Sequence, residues 1–127
     1  MFDTAMTLND LMFLMKGAGM TLAVTFFAVI GGTALGLLFG VIRAQLNPWA
    51  VLPLTFVLDV FRSVPLLIQL VLANAFQSIA GLQLPPFATS CIVLALYTSA
   101  YCTEIVRGAI DAVPSVTRRA ARALGLA

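Results

Sequence analysis

The chain has 127 residues, of which 61% are hydrophobic and only 9% charged, whereas average soluble domains carry roughly 25% charged residues. A globule this small needs ample polar surface, and a mean hydropathy of +1.06 leaves too little, which argues against a soluble fold and makes lipid the natural solvent. Seven Lys and Arg against five Asp and Glu give a net charge of +2, too weak for the basic footprint that nucleic acid requires.

In chain order, the first long uncharged stretch runs from Gly17 to Ile42, between Lys16 and Arg43. At about 1.5 Å per helical residue it exceeds the roughly 30 Å hydrocarbon core, which predicts a membrane span over 17–42. A signal peptide would have a shorter apolar region behind a basic start, whereas Asp3 and Asp10 precede this run. Ala28, Gly32, Gly36 and Gly40 recur every four residues. That stripe lets another helix backbone approach closely, either within the chain or across a subunit interface.

The second uncharged stretch, residues 63–103, is long enough for two spans, and Gly81, Pro85 and Pro86 mark the break between them. Using all the apolar residues places the spans at about 52–76 and 87–107. Asp59 and Arg62 then fall inside the membrane region, three residues apart and so on one helix face. A charge at the bilayer centre costs about 2.5 to 3.5 kcal/mol, so these two either pair, face a cavity or partner, or let Arg62 snorkel to an interface. Pro65 has no N–H to give and frees the Phe61 carbonyl one turn earlier. Ser63, Gln69 or water is expected to satisfy that oxygen.

On the third span Tyr97, Tyr101, Glu104 and Gly108 follow helical spacing and form one polar stripe. Glu104 and Arg107 repeat the spacing of Asp59 and Arg62, either as part of that stripe or as an interfacial ion pair. Cys91 and Cys102 lie too far apart on one helix for a disulfide and, with no Cys/His cluster near them, read as packing residues. Pro114 then interrupts the helix. Ser115 is positioned to cap a new, short one in which Val116, Ala120, Ala123, Leu124 and Ala127 oppose Arg118, Arg119 and Arg122, with Gly125 ending it. Composition alone reads this as a basic amphipathic helix on a membrane surface. Arg43, Arg107, Arg118, Arg119 and Arg122 lie on the same side under a three-span topology, with only Lys16 opposite. The positive-inside rule therefore puts the amino terminus outside and the carboxyl terminus in the cytoplasm.

The sequence contains no histidine, no Gly-rich phosphate loop and no metal-ligand cluster. No catalytic residue, metal or cofactor is expected, and any coupling to nucleotide hydrolysis would need another protein.

Three groups of residues resemble a known family when taken in order. They are Gly17-Ala18-Gly19-Met20-Thr21-Leu22, the run from Phe61 to Leu70 with Arg62, Pro65, Leu66, Leu67 and Gln69, and Ala100-Tyr101 through Glu104 and Arg107-Gly108-Ala109-Ile110 to Val113-Pro114. Together they resemble the permease subunits of polar amino-acid ABC importers. The resemblance implies an all-α integral membrane protein with three transmembrane helices and a short cytoplasmic coupling helix at about 115–126, the amino-terminal part of a type-1 ABC transmembrane domain. Residues 1–16 would form an extracytoplasmic segment and residues 17–127 the partial permease domain.

It further implies residence in the bacterial inner membrane. The partners would be an ABC ATPase subunit, a second permease subunit of the same or a homologous kind, a periplasmic or surface amino-acid-binding protein, the amino-acid substrate and membrane lipid. Asp59, Arg62, Pro65, Gln69, Tyr97, Tyr101, Glu104 and Arg107 would shape the translocation path, and Ala120, Ala121 and Gly125 would contact the ATPase. Arg119 stands where the family's coupling loop has glutamate, Val116-Thr117 replaces the usual Gly-Gln, and Ser63-Val64 replaces a common Gly-Thr. The resemblance ends within the coupling loop at Ala127. Two other readings accompany it: a homo-oligomeric pore or secondary transporter, and a non-transporting truncated or regulatory membrane protein.

Overall fold

The computed structural model describes residues 6–126, so Asp3 and Ala127 lie outside it. Among the described residues all regular structure is helical, in five elements: α1 (Leu8–Gln45), α2 (Pro48–Ser63), α3 (Leu66–Ile79), α4 (Pro86–Asp111) and α5 (Ser115–Ala123). Two of them, α1 and α4, are individually long and apolar enough to cross a membrane.

Helix α1 begins well before the uncharged run because Thr7 and Asp10 form a capping box. The Asp10 carboxylate accepts from the Thr7 N–H at 3.0 Å and from its hydroxyl at 2.6 Å. Its 38 residues span about 57 Å, more than a bilayer core. Within the apolar part, the Thr21 and Thr25 hydroxyls donate to the Gly17 and Thr21 carbonyls at 3.0 and 2.8 Å, so neither presents an unpaired polar group to lipid.

The stripe of Ala28, Gly32, Gly36 and Gly40 is the buried face of α1, and it lies on α4. A Cβ built on Gly32 would stand 2.6 Å from Thr98 Cβ, one on Gly36 2.4 Å from Cys102 Cβ, and one on Gly40 2.6 Å from Val106 Cβ. Only glycine permits this approach. The partners advance in the same direction along both helices, so α1 and α4 run parallel. Phe27 and Phe87 meet edge-to-face near the start of α4, at 6.2 Å between ring centroids.

Residues 52–76, expected as one span, are two helices that meet at 109°. Pro65 ends the ladder, and Val64 and Pro65 are extended. The carbonyl that Pro65 leaves free is taken by Gln69, whose Nε2 donates to Phe61 O at 2.7 Å and to Val64 O at 2.8 Å. Ser63 instead donates to its own helix, at Asp59 O, 2.7 Å away. Gln69 thus holds the corner by hydrogen-bonding two carbonyls that a straight helix would have satisfied itself.

At the far end of α3, Gly81 adopts φ +72°. The Leu82 N–H reaches Gln77 O at 2.9 Å and the Gly81 N–H reaches Ser78 O at 3.3 Å, a Schellman ending that needs a residue with no Cβ. Gln77 Oε1 accepts from the Thr89 hydroxyl at 3.0 Å, fastening α3 to the start of α4.

The capping expectation for Ser115 does not hold. Pro114 is the N-cap of α5 and makes no side-chain cap bond, while the Ser115 hydroxyl accepts from Arg119 Nη2 at 3.4 Å. Serine one residue inside the helix sits too far along to reach the free N–H groups that a true N-cap meets. Gly125, at φ +75°, ends α5 with a second Schellman pair, Leu126 N–H to Ala121 O at 2.9 Å and Gly125 N–H to Arg122 O at 3.0 Å.

Candidate functional site: an ionic cluster joining three helices

Most of the charged side chains in the membrane-spanning part converge on Glu104. Its Oε1 accepts from Arg43 at the end of α1 and lies 3.2 Å from Arg62 Nη1 at the end of α2. Its Oε2 lies 3.5 Å from Arg107 Nε, one turn further along α4. Each of the last two arginines has a second carboxylate on its own helix. Arg62 stands 3.5 Å from Asp59, and Arg107 donates to Asp111 at 3.2 Å. Three arginines therefore face three carboxylates, and the cluster is neutral as a whole.

Burial is uneven across it. The Arg43 side chain is 8% exposed, Glu104 26%, Arg62 34% and Asp59 53%. In apolar surroundings an unpaired charge is far costlier than a paired one, so the pairing of Arg43 with Glu104 is the contact on which the rest depends.

The tyrosines extend the cluster. The Tyr97 hydroxyl donates to that of Tyr101 at 3.2 Å, and Tyr101 donates to the Arg62 carbonyl at 3.3 Å. The Arg62 guanidinium also lies over the Tyr101 ring, 5.9 Å from its centroid. Asp59, Arg62, Ser63 and Tyr101 line an open cavity of about 450 Å³. Its walls offer an anion, a cation and two hydroxyls.

Of the residues singled out from sequence, Asp59, Arg62, Tyr97, Tyr101, Glu104 and Arg107 thus lie together. Pro65 and Gln69 lie at the corner beside them and act on the backbone. Ala120, Ala121 and Gly125 are elsewhere, on α5, whose position is tied to α4 by Arg118 donating to the Ile110 carbonyl. Arg43 and Asp111 are the residues that sequence reasoning missed as part of this group, although Asp111 lies four positions after Arg107, a spacing at which helical charges pair, and Arg43 carries the link between helices. A signal for Arg43 existed too: it follows Gly40 by three positions, on the face that the small-residue stripe turns towards α4. Cys91 and Cys102 are both free and half-buried, and Cys102 packs against Gly36. Among the described residues no group of His, Cys, Asp and Glu is arranged to hold a metal.

Comparison with known proteins gives this arrangement its setting. Residues 32–127 match the family described as binding-protein-dependent transport system inner membrane component. The chain is 31% identical over 124 residues to a probable amino-acid ABC transporter permease of Sinorhizobium fredii, covering 98% of this chain and 54% of that protein. It is 33% identical to a putative glutamine transport system permease of Rickettsia conorii, covering 90% and 53% respectively. It is 28% identical to the arginine transport system permease of Bacillus subtilis, covering 98% and 57%. No solved structure matches. The chain spans about half the length of the curated relatives it matches. Its relatives are transport components rather than enzymes, its helices are those of a membrane protein, and the chain belongs to the family of binding-protein-dependent transport inner-membrane components.

Proposed function

We propose that the chain forms part of the membrane path of an ATP-driven importer for polar amino acids, working with an ABC ATPase, a second permease subunit and an extracytoplasmic binding protein. The observation that carries this reading is the neutral cluster of Arg43, Arg62, Arg107, Asp59, Glu104 and Asp111 among apolar helices of a permease family. Charged groups held among apolar membrane helices are costly unless paired, and such groups mark substrate paths or switches. The cavity beside Asp59, Arg62, Ser63 and Tyr101 suits a solute bearing both charges, as a polar amino acid does.

The parallel course of α1 and α4 supports three crossings. In this reading the chain leaves α1 at one membrane face and enters α4 at the other, and the bent pair α2–α3 carries it back. The basic residues then favour an amino terminus outside and a cytoplasmic α5. In this reading α5 is the coupling helix, Ala120, Ala121 and Gly125 meet the ATPase, and Arg118 transmits its movement through the Ile110 carbonyl to α4.

A photo-crosslinking residue placed at Ala121 in the chain's own membranes tests this directly. Mass spectrometry of the adduct is expected to identify an ABC ATPase subunit. Adducts to lipid alone would overturn the assignment of α5.

A further inference from the structure

The ion pairs around Glu104 differ in what each arginine would lose on parting from it. Arg43 is buried, and Glu104 is its only carboxylate partner among the described residues. Arg62 has Asp59 three residues earlier on its own helix, and Arg107 has Asp111 four residues later on its own. Separating α1 from α4 would therefore strand a buried guanidinium. Separating α2 from α4 would not, because Arg62 keeps Asp59 whether or not it touches Glu104.

The packing is unequal in the same sense. Helix α1 lies along α4 through backbone contacts at Gly32, Gly36 and Gly40, whereas α2 touches both helices lightly. Helix α2 ends at a corner, Ser63–Pro65, where no continuous ladder stiffens the chain and two carbonyls hang on the one side chain of Gln69. The polar ties of the α2 end to α4 are the Arg62–Glu104 contact, the single hydrogen bond from Tyr101 to the Arg62 carbonyl and the placement of the Arg62 guanidinium over the Tyr101 ring.

We infer that Asp59 is a positioning residue that receives Arg62 when it releases Glu104, so that the Ser63–Pro65 end of α2 swings away from α4 on the two-residue link 46–47 while α1 and α4 remain one rigid pair clamped by Arg43. The exchange keeps every guanidinium paired at each end of the movement and leaves only Glu104 with fewer partners, still held by Arg43 and Arg107. It rests on the importer reading only for its use: the swing would open and close the cavity beside Arg62, at one end of the proposed path.

The test is a distance distribution measured by electron paramagnetic resonance on the full chain in nanodiscs of phosphatidylethanolamine and phosphatidylglycerol. Spin labels go on Phe56→Cys in α2 and Ile105→Cys in α4, both exposed, with Cys91 and Cys102 replaced by Ser. The unsubstituted cluster is expected to give a short and a long population. Asp59→Asn, which removes the receiving carboxylate, is expected to reduce the long population at least fivefold. Asp59→Glu, which keeps it, is expected to restore both. Asp111→Asn, which alters the charge of the cluster equally but acts on Arg107, is expected to leave the ratio within twofold.

An unchanged distribution in Asp59→Asn, a shift towards the long distance, or an equal shift in Asp111→Asn would overturn the inference. Circular dichroism on each variant separates a loss of fold from a change of ratio. A positive result with no ATP-driven uptake would leave the switch standing and remove the importer reading. A negative result with intact uptake would do the reverse.

Discussion

Replacing Arg43 by Gln is the sharpest perturbation of the ionic cluster, because Arg43 is its most buried member at 8% side-chain exposure. Removing one partner of a buried pair typically costs about 3 to 5 kcal/mol, most of it the penalty of the charge left behind. Here Glu104 retains Arg62 at 3.2 Å and Arg107 at 3.5 Å, both partly exposed, which places the expected loss at the lower end, about 3 kcal/mol. At 1.4 kcal/mol per tenfold, that raises the population in which α1 has left α4 by roughly two orders of magnitude. Cys102 reports this opening, since its side chain packs against Gly36 at the α1–α4 contact. In a Cys91→Ser background, maleimide labelling of Cys102 is expected to accelerate at least tenfold in Arg43→Gln. Glu104→Gln should accelerate it as well, by leaving three guanidinium groups facing one another. The double variant should be less perturbed than the sum of the two, with a coupling of about 1.5 kcal/mol or more, of the size seen for charge pairs in contact. Labelling of Arg43→Gln within twofold of the parent, or strict additivity in the double variant, would refute the claim that this pair holds α1 to α4.

Gly36→Leu is expected to separate α1 from α4 by overpacking, at a cost of about 1 to 3 kcal/mol, whereas Gly19→Leu, which meets open space, should leave Cys102 labelling unchanged. Gln69→Leu strands the Phe61 and Val64 carbonyls at about 1 to 3 kcal/mol each, and is expected to speed amide exchange over Val64–Leu70 in hydrogen-exchange mass spectrometry while leaving α1 unaffected. At the other end of the chain, hydrogen bonds from the Thr7 side chain and backbone hold the Asp10 carboxyl below the usual carboxylate range. Its folded value lies below its unfolded one, so the cap contributes fully above the unfolded value and is lost as pH falls through the folded value. Amide protection at Asp10 and Leu11 should fade in that acid window and not above it, and Thr7→Ala should reduce the pH dependence without abolishing it, because the backbone N–H at position 7 still donates to Asp10.

Much of this architecture was legible in the sequence, for reasons that also mark where legibility ended. Uncharged runs identify α1 and α4 because lipid penalises each charge individually, a local property of the chain. The stripe of Ala28, Gly32, Gly36 and Gly40 identifies a packing face for the same reason, yet helical spacing says nothing about which helix lies against it. That α4 fills the role, and runs parallel, is a tertiary fact. At Pro65 the missing N–H predicts a disrupted ladder and a free Phe61 carbonyl, and Gln69 is one of the groups expected to satisfy it. The 109° angle between α2 and α3 was not foreseen, because it depends on Gln69 also taking Val64 O and so stabilising a corner in place of a mild kink.

The cluster illustrates the same boundary. Asp59 with Arg62 and Glu104 with Arg107 are pairs three residues apart on one helix, readable from spacing alone. Arg43 lies 61 positions before Glu104, and by sequence it reads as the charge that ends the first span and as one of the basic residues that orient the chain. Its burial against α4 joins two local pairs into one constellation. Ser115 shows a local rule failing locally: a serine beside a proline looks like a cap, but Pro114 is already extended and takes the N-cap position itself.

The central claim, that these helices form part of an ATP-driven amino-acid importer, is tested most directly by uptake. Membrane vesicles containing the chain co-expressed with the proposed ATPase, second permease subunit and binding protein are loaded with ATP and given radiolabelled glutamine, arginine or other polar amino acids. Accumulation is expected for at least one of them, dependent on ATP, unaffected by a protonophore and abolished by Glu104→Gln. Uptake that persists without the ATPase and collapses with the ion gradient would contradict the account.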